Sequence, residues 1–126
     1  MTIILGTRSL SRLEGVHADL VKVVKAAAAS SDLDFTVLEG LRTLDRQKQL
    51  FAQHATTTMK SRHLDGHAVD LAPMIDGEVR WDWPLYTALG AAVKRAAVEE
   101  QVAITWGGDW KMRDGPHFEL EWARYP

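Results

Sequence analysis

One domain of ordinary size fills a chain of 126 residues, so a single domain spanning residues 1–126 is expected. Apolar residues make up 46% and charged residues 25%, a balance that supports a packed core and excludes disordered or collagen-like order. Cysteine is absent, which excludes disulfides, thiolate metal sites and cysteine nucleophiles, and a net charge of −2 argues against a nucleic-acid partner.

Met1-Thr-Ile-Ile-Leu-Gly6 holds a short apolar run with no basic region before it and no cleavage site after it, so a signal peptide is not expected. No stretch of the chain has the continuous apolar length of a membrane span, so no membrane insertion is expected. From Leu10 onward, Leu13, Val16, Leu20, Val23, Val24 and Ala27 recur at three- and four-residue steps, predicting one helix capped by Ser9 or Ser11 and broken at Ser30-Ser31-Asp32. Phe35-Thr-Val-Leu38 reads as a strand ending in Glu39-Gly40. Thr43 caps a second helix that carries Asp45 in its first turn, offers Leu44, Leu50 and Phe51 to the core and fades by His54.

Residues 55–60 form a polar connection, and His67 to Ala72 alternates as a strand before Pro73. Asp76-Gly77 predicts a hairpin turn between Ile75 and the run Val79 to Trp83. Leu85, Leu89, Ala92, Val93 and Ala96 predict a third helix from about Pro84 to Glu100, and Val102 to Trp106 and His117 to Trp122 read as two further strands. The elements mix without regular βαβ alternation. An α+β domain is therefore expected, with a mainly antiparallel sheet packed against about three helices.

The densest chemistry lies in Ser61-Arg-His63-Leu-Asp-Gly66-His67-Ala-Val-Asp70, with a third histidine beside a carboxylate in Asp114-Gly-Pro-His117. A catalytic zinc takes three nitrogen or oxygen ligands and keeps a fourth position open, and His63, Asp70 and His117 can supply that set. His67 competes with His63, being four residues away as in helical H-E-x-x-H sites. Gly66 interrupts such a helix, however, and alternation puts His67 and Asp70 on opposite faces of a strand, which favours His63 as the ligand. His17 and His54 have no acidic or histidine neighbours at ligand spacing and read as structural or surface residues. The five tryptophans are expected in the core, with Trp106 or Trp110, which flank Gly107-Gly108, as candidates to line a cleft.

The pattern Ser61-x-His63-x-x-Gly66-x-Ala68-x-Asp70 with Asp114-x-x-His117 resembles the zinc peptidase family of D-alanyl-D-alanine carboxypeptidases, vancomycin-resistance dipeptidases and phage L-alanyl-D-glutamate endopeptidases. The blocks Asp34 to Thr43, Ser61 to Pro73 and Trp106-Gly-Gly-Asp-Trp110 are most similar to the small phage endolysins. The resemblance implies the fold shared with the hedgehog signalling domain. It also implies Zn2+ held by His63, Asp70 and His117, with Asp114 as acid/base and Arg42 stabilising the substrate's carbonyl oxygen or carboxylate. Ser61, Gln47 and Trp110 are the expected substrate-contacting positions.

Amide hydrolysis with a metal-activated nucleophile requires a carboxylate to move the proton, and Asp114, three residues from a ligand, suits that role. Asp65, Asp109 and Glu119 compete for it, Glu119 fitting better as a partner of His117 on the same strand face. The expected function is a phage lysis enzyme that hydrolyses the L-alanyl-D-glutamate bond of bacterial peptidoglycan. It is expected to act as a monomer, leaving the host cytoplasm for the wall after the membrane is permeabilised. The alternatives are a D-alanyl-D-alanine carboxypeptidase or dipeptidase and, from another class, a non-catalytic murein-binding domain.

Overall fold

A computed structural model describes residues 5–54 and 61–126, so the readings made for residues 1–4 and for the connection 55–60 lie outside the described residues. The chain runs α1 (Thr7–Arg12), α2 (Ala18–Ser30), β1 (Phe35–Glu39), α3 (Leu44–Ala52), β2 (Ala68–Ile75), β3 (Glu78–Val79), α4 (Trp83–Glu99), β4 (Ile104–Trp106) and β5 (His117–Leu120), with short 3-10 turns at Arg62–Asp65 and Gly107–Asp109. The sheet order is β1-β2-β5-β4, with β3 paired to β2, and every pairing is antiparallel. The α+β class is as expected; among the described residues the helices number four rather than about three.

The extra helix arises because the predicted first helix divides. Gly15 adopts φ +81°, which ends α1, and the His17 ring then caps α2 by accepting from the Asp19 amide at 3.0 Å. The division is a tertiary effect: the His17 amide donates to the Gly66 carbonyl at 2.8 Å, and a Cβ on Gly66 would lie 2.4 Å from the Gly15 oxygen. Ser9, read as a cap, is instead buried against β1, where its hydroxyl accepts from the Val37 amide at 3.0 Å. Together with Arg12 donating to the Val37 carbonyl at 2.9 Å, this covers an otherwise open sheet edge.

Helices α2 and α4 cover one face of the sheet. Leu20, Val23, Val24 and Ala27 meet Leu89, Val93 and Ala96, and beneath them lie Val37, Val69, Leu71, Phe118 and Leu120. Each large apolar side chain buried there contributes on the order of 1.5–3 kcal/mol. Strand β2 continues through Pro73 to Ile75, past its expected end. Pro73 lies where this strand passes from β5 to β3, and its carbonyl accepts from the Arg80 amide at 2.9 Å, a bond its ring nitrogen cannot reciprocate. The hairpin turn forms where expected, Asp76 and Gly77 both taking positive φ, at 52° and 80°.

The second helix forms as predicted, with the Thr43 hydroxyl accepting from the Arg46 amide at 3.1 Å, but its inward face is not the expected one. Leu44 and Phe51 are exposed, and Gln47 is the buried residue of α3. This helix does not lie across the apolar face; the side it turns inward meets Arg42.

Candidate metal centre

The strand face opposite the helices carries the polar residues, because alternation in β2 and β5 sends Val69, Leu71, Phe118 and Leu120 to the core and Asp70, His117 and Glu119 the other way. Asp70 lies directly opposite His117 in the β2–β5 register. On the other side of β2, Asp70 is opposite Glu39 of β1. Phe35 and Val37 are core residues, so simple alternation would send Glu39 inward too. A register shift between Val37 and Glu39 moves it onto the polar face.

His63 comes from the 3-10 turn ahead of β2, which Ser61 caps by accepting from the His63 amide at 3.2 Å and which ends at Gly66 in the left-handed conformation, φ +72°. The His63 Nε2 lies 3.3 Å from Asp70 Oδ1, and His117 Nδ1 lies 3.4 Å from the same oxygen. One donor atom from each of His63, Asp70 and His117 falls within 4.8 Å of the other two, a spacing that could hold a metal ion. The remaining ring nitrogens are engaged: His63 Nδ1 donates to the Gly40 carbonyl at 2.8 Å, and His117 Nε2 pairs with Glu119 Oε1 at 2.7 Å. These outer partners orient both rings so that the nitrogens facing Asp70 can act as ligands, a second layer that metal sites typically require. The donor set, two imidazoles and a carboxylate, suits a zinc-type ion.

Burial alone would raise the Asp70 carboxyl, but hydrogen bonds from His117 and His63 overcome it and hold the group well below the usual carboxylate range. Burial would likewise lower His117, yet Asp70 and Glu119 raise it to about 9. A dication at this point would take over the charge balance that the imidazolium provides in the metal-free chain.

The triad opens into a cleft of about 950 Å³ that Asp114, Arg42, Ser61 and Trp110 also line. Asp114 keeps contact with solvent, while partial burial against the cleft wall and the charge of Asp70 push its carboxyl above the ordinary range. Its amide donates to the Gly107 carbonyl at 2.9 Å, and its own carbonyl accepts from the His117 amide at 3.2 Å, which ties Asp114 to a ligand's backbone. A Cβ on Gly107 would lie 2.4 Å from the Asp114 oxygen, so that close approach needs glycine.

Arg42 is held by a fork from Glu39, Nε to Oε1 and Nη2 to Oε2 both at 2.8 Å, and by Gln47 Oε1 at 2.8 Å from Nη1. Its Nη2 lies 3.9 Å from Asp70 Oδ2. Gln47 thus holds Arg42 from beneath. Ser61 lies 3.5 Å from Nη1. Trp110 tilts over His117 with ring centres 5.1 Å apart, whereas Trp106 is in the core with its indole N–H donating to the Gly115 carbonyl at 2.8 Å. The expectation that the tryptophans fill the core holds only for Trp106: Trp81, Trp83, Trp110 and Trp122 are exposed.

The structure does not bring every candidate to the triad. His67 turns away and packs edge-on against His17, ring centres 5.5 Å apart. Asp109 pairs with Lys94 at 2.6 Å, Asp65 is not among the residues that line the cleft, and Glu119 engages His117. His54, read as a structural or surface residue, is exposed and borders the cleft. Residues that sequence reading passed over include Glu39 and Trp122, the latter lining the cleft under the Arg62 guanidinium at 3.9 Å. The opposite charges of Glu39 and Arg42 at a three-residue spacing were the one available signal for the first.

The Glu39 carboxyl is held below its ordinary value of 4.5 chiefly by the Arg42 hydrogen bonds. A lowered folded value means that this pair contributes stability fully present above about pH 4.5 and lost as pH falls through the depressed value. Denaturant titrations of the wild type and Glu39→Gln are therefore expected to differ most near neutral pH and to converge in acid. A difference that widens in acid would contradict this assignment.

Two histidines and an aspartate on an open cleft, with a further carboxylate beside them, define a candidate mononuclear metal centre of the hydrolase type. The model of the phage L-alanyl-D-glutamate peptidase family matches residues 1–123, and the chain belongs to that family. It is 32% identical over 124 residues to the L-alanyl-D-glutamate peptidase of Escherichia phage T5, covering 95% of this chain and 90% of that one. It is 30% identical over 111 residues to the peptidoglycan L-alanyl-D-glutamate endopeptidase CwlK of Bacillus subtilis, covering 77% of this chain and 66% of CwlK. The crystal structure of the Serratia marcescens L-Ala D-Glu endopeptidase ChiX superposes with a TM-score of 0.90 at 45% identity, covering 95% of this chain and 91% of that one.

Proposed function

We propose that this chain is a zinc-dependent peptidoglycan peptidase that hydrolyses the L-alanyl-D-glutamate bond of murein stem peptides, with His63, Asp70 and His117 as the metal ligands. The observation that carries the reading is the convergence of these three residues with Asp114 on one open cleft, in a chain of this family. When bound, zinc supplies a nucleophile at neutral pH and polarises a carbonyl.

The chain's own groups do the rest. Asp114, which lines the cleft beside the triad, accepts the proton of the attacking water and passes it to the departing glutamate nitrogen. Arg42, fixed by Glu39 and Gln47, is a preorganised cation beside the developing charge on the carbonyl oxygen. Ser61 caps the ligand-bearing turn at the cleft margin, and Trp110 offers an apolar wall over His117.

The proposal extends to a monomeric catalytic domain over residues 1–126, serving phage lysis and reaching the wall from the host cytoplasm once the membrane is opened. Among the described residues no helix is long and apolar enough to cross a membrane. Digestion of purified murein followed by mass spectrometry tests the reaction. The expected product carries D-glutamate as a new amino terminus. Release of free D-alanine would replace this reading with a carboxypeptidase, and intact murein would leave a binding domain.

A further inference from the structure

A glutamate residue has two carboxyl groups, and extension of a peptide beyond it consumes no more than one. Hydrolysis of an alanyl–glutamate bond therefore leaves an anion on the leaving-amine side, a few bonds from the scissile amide. A cleft that discriminates for glutamate needs a cation there whose charge is not already matched.

Two of the cleft's arginines are engaged elsewhere. Arg42 is forked onto Glu39, and Arg62 donates to the carbonyls of Leu120 at 3.0 Å and Tyr125 at 2.6 Å while its guanidinium covers Trp122. Arg113 also lines the cleft, is exposed, and among the described residues has no carboxylate within 4.0 Å. Its guanidinium lies over the Trp83 ring at 3.5 Å. Stacking on one face fixes the plane of the guanidinium and leaves its N–H edge open for a two-point contact with a carboxylate. Trp83 is in turn braced by Tyr86, ring centres 5.9 Å apart.

Position along the chain supplies the second argument. Arg113 immediately precedes Asp114, whose amide and carbonyl are tied to Gly107 and His117. The group that protonates the leaving nitrogen and the free cation thus share one anchored segment, and the substrate's free carboxylate is only a few bonds from that nitrogen.

We propose that Arg113, stacked on Trp83, is the recognition site for the free carboxylate of the substrate's D-glutamate and makes the enzyme selective against the corresponding amide. The inference rests on the proposed reaction. Its test uses two murein-derived peptides that differ only in whether this group is a carboxylate or a carboxamide. kcat and KM for each are measured with zinc-loaded wild type, Arg113→Gln and Arg113→Lys.

The wild type is expected to favour the carboxylate peptide in kcat/KM by about tenfold to a hundredfold, the scale of a charge-assisted hydrogen-bonded pair. Arg113→Gln is expected to bring that ratio close to one, chiefly through KM, and Arg113→Lys to keep part of it. Because the ratio compares two substrates on one preparation, loss of folded enzyme does not alter it. Cleavage of both peptides with an unchanged ratio in Arg113→Gln would overturn the role of Arg113 while leaving the reaction intact. Failure of the wild type to cut either peptide at this bond would overturn the reaction, and the inference with it.

Discussion

His63→Ala, Asp70→Ala and His117→Ala are each expected to abolish stoichiometric zinc binding, whereas His67→Ala retains one zinc per chain. The three donor atoms lie within 4.8 Å of one another, and with the fourth position left to water no spare protein ligand can compensate for a loss. Removing an outer partner of a ligand already costs about 10–100-fold in affinity, so deleting the ligand itself costs more. The His67 ring packs on His17 and Tyr125, and its removal leaves the triad untouched. Metal analysis after dialysis, with thermal unfolding measured on the same samples, separates loss of the site from loss of the fold. Zinc retained by His63→Ala and lost by His67→Ala would reverse the assignment.

Asp114→Asn is expected to keep its zinc and its fold but to lose hydrolysis by about 10²-fold or more, the usual scale for removing general acid–base help. The amide is nearly isosteric, and the backbone bonds to Gly107 and His117 do not depend on the side chain. The acidic limb of the wild-type rate profile that reports deprotonation of this carboxyl should vanish in the variant. Loss of zinc in Asp114→Asn would make this residue a ligand. Near-normal turnover would end its acid/base role and move it to Asp65, Asp109 or Glu119, of which Asp109 pairs with Lys94 and Glu119 with His117.

Much of the architecture was legible because hydrophobic periodicity records which face of an element is buried. The period-two pattern from His67 and again from His117 marked β2 and β5, and it separated Asp70, His117 and Glu119 from the apolar residues between them. Thr43 and Asp76-Gly77 marked a helix start and a turn because their backbone preferences are local. Periodicity failed where a distant contact overrode it. The step from Leu13 to Val16 to Leu20 fits a continuous helix, yet Gly15 breaks it where Gly66 packs in from the ligand-bearing turn. Leu44 and Phe51 fit a core-facing stripe, yet α3 turns Gln47 inward to meet Arg42.

By itself, the sequence determined the fold class, the sheet's two faces and the cluster of metal-ligand residue types, since each depends on residue identity and spacing within one element. Alternation already set His67 apart from Asp70, but only the tertiary structure decided that the turn carrying His63 comes within reach of Asp70 and His117, that a register shift sends Glu39 out of the core to hold Arg42, and that Arg113 stacks on Trp83. The physical reason is that these outcomes depend on strand register and on which loops meet in space. A one-residue shift in register exchanges the two faces of a strand without changing its composition, so no local pattern encodes it.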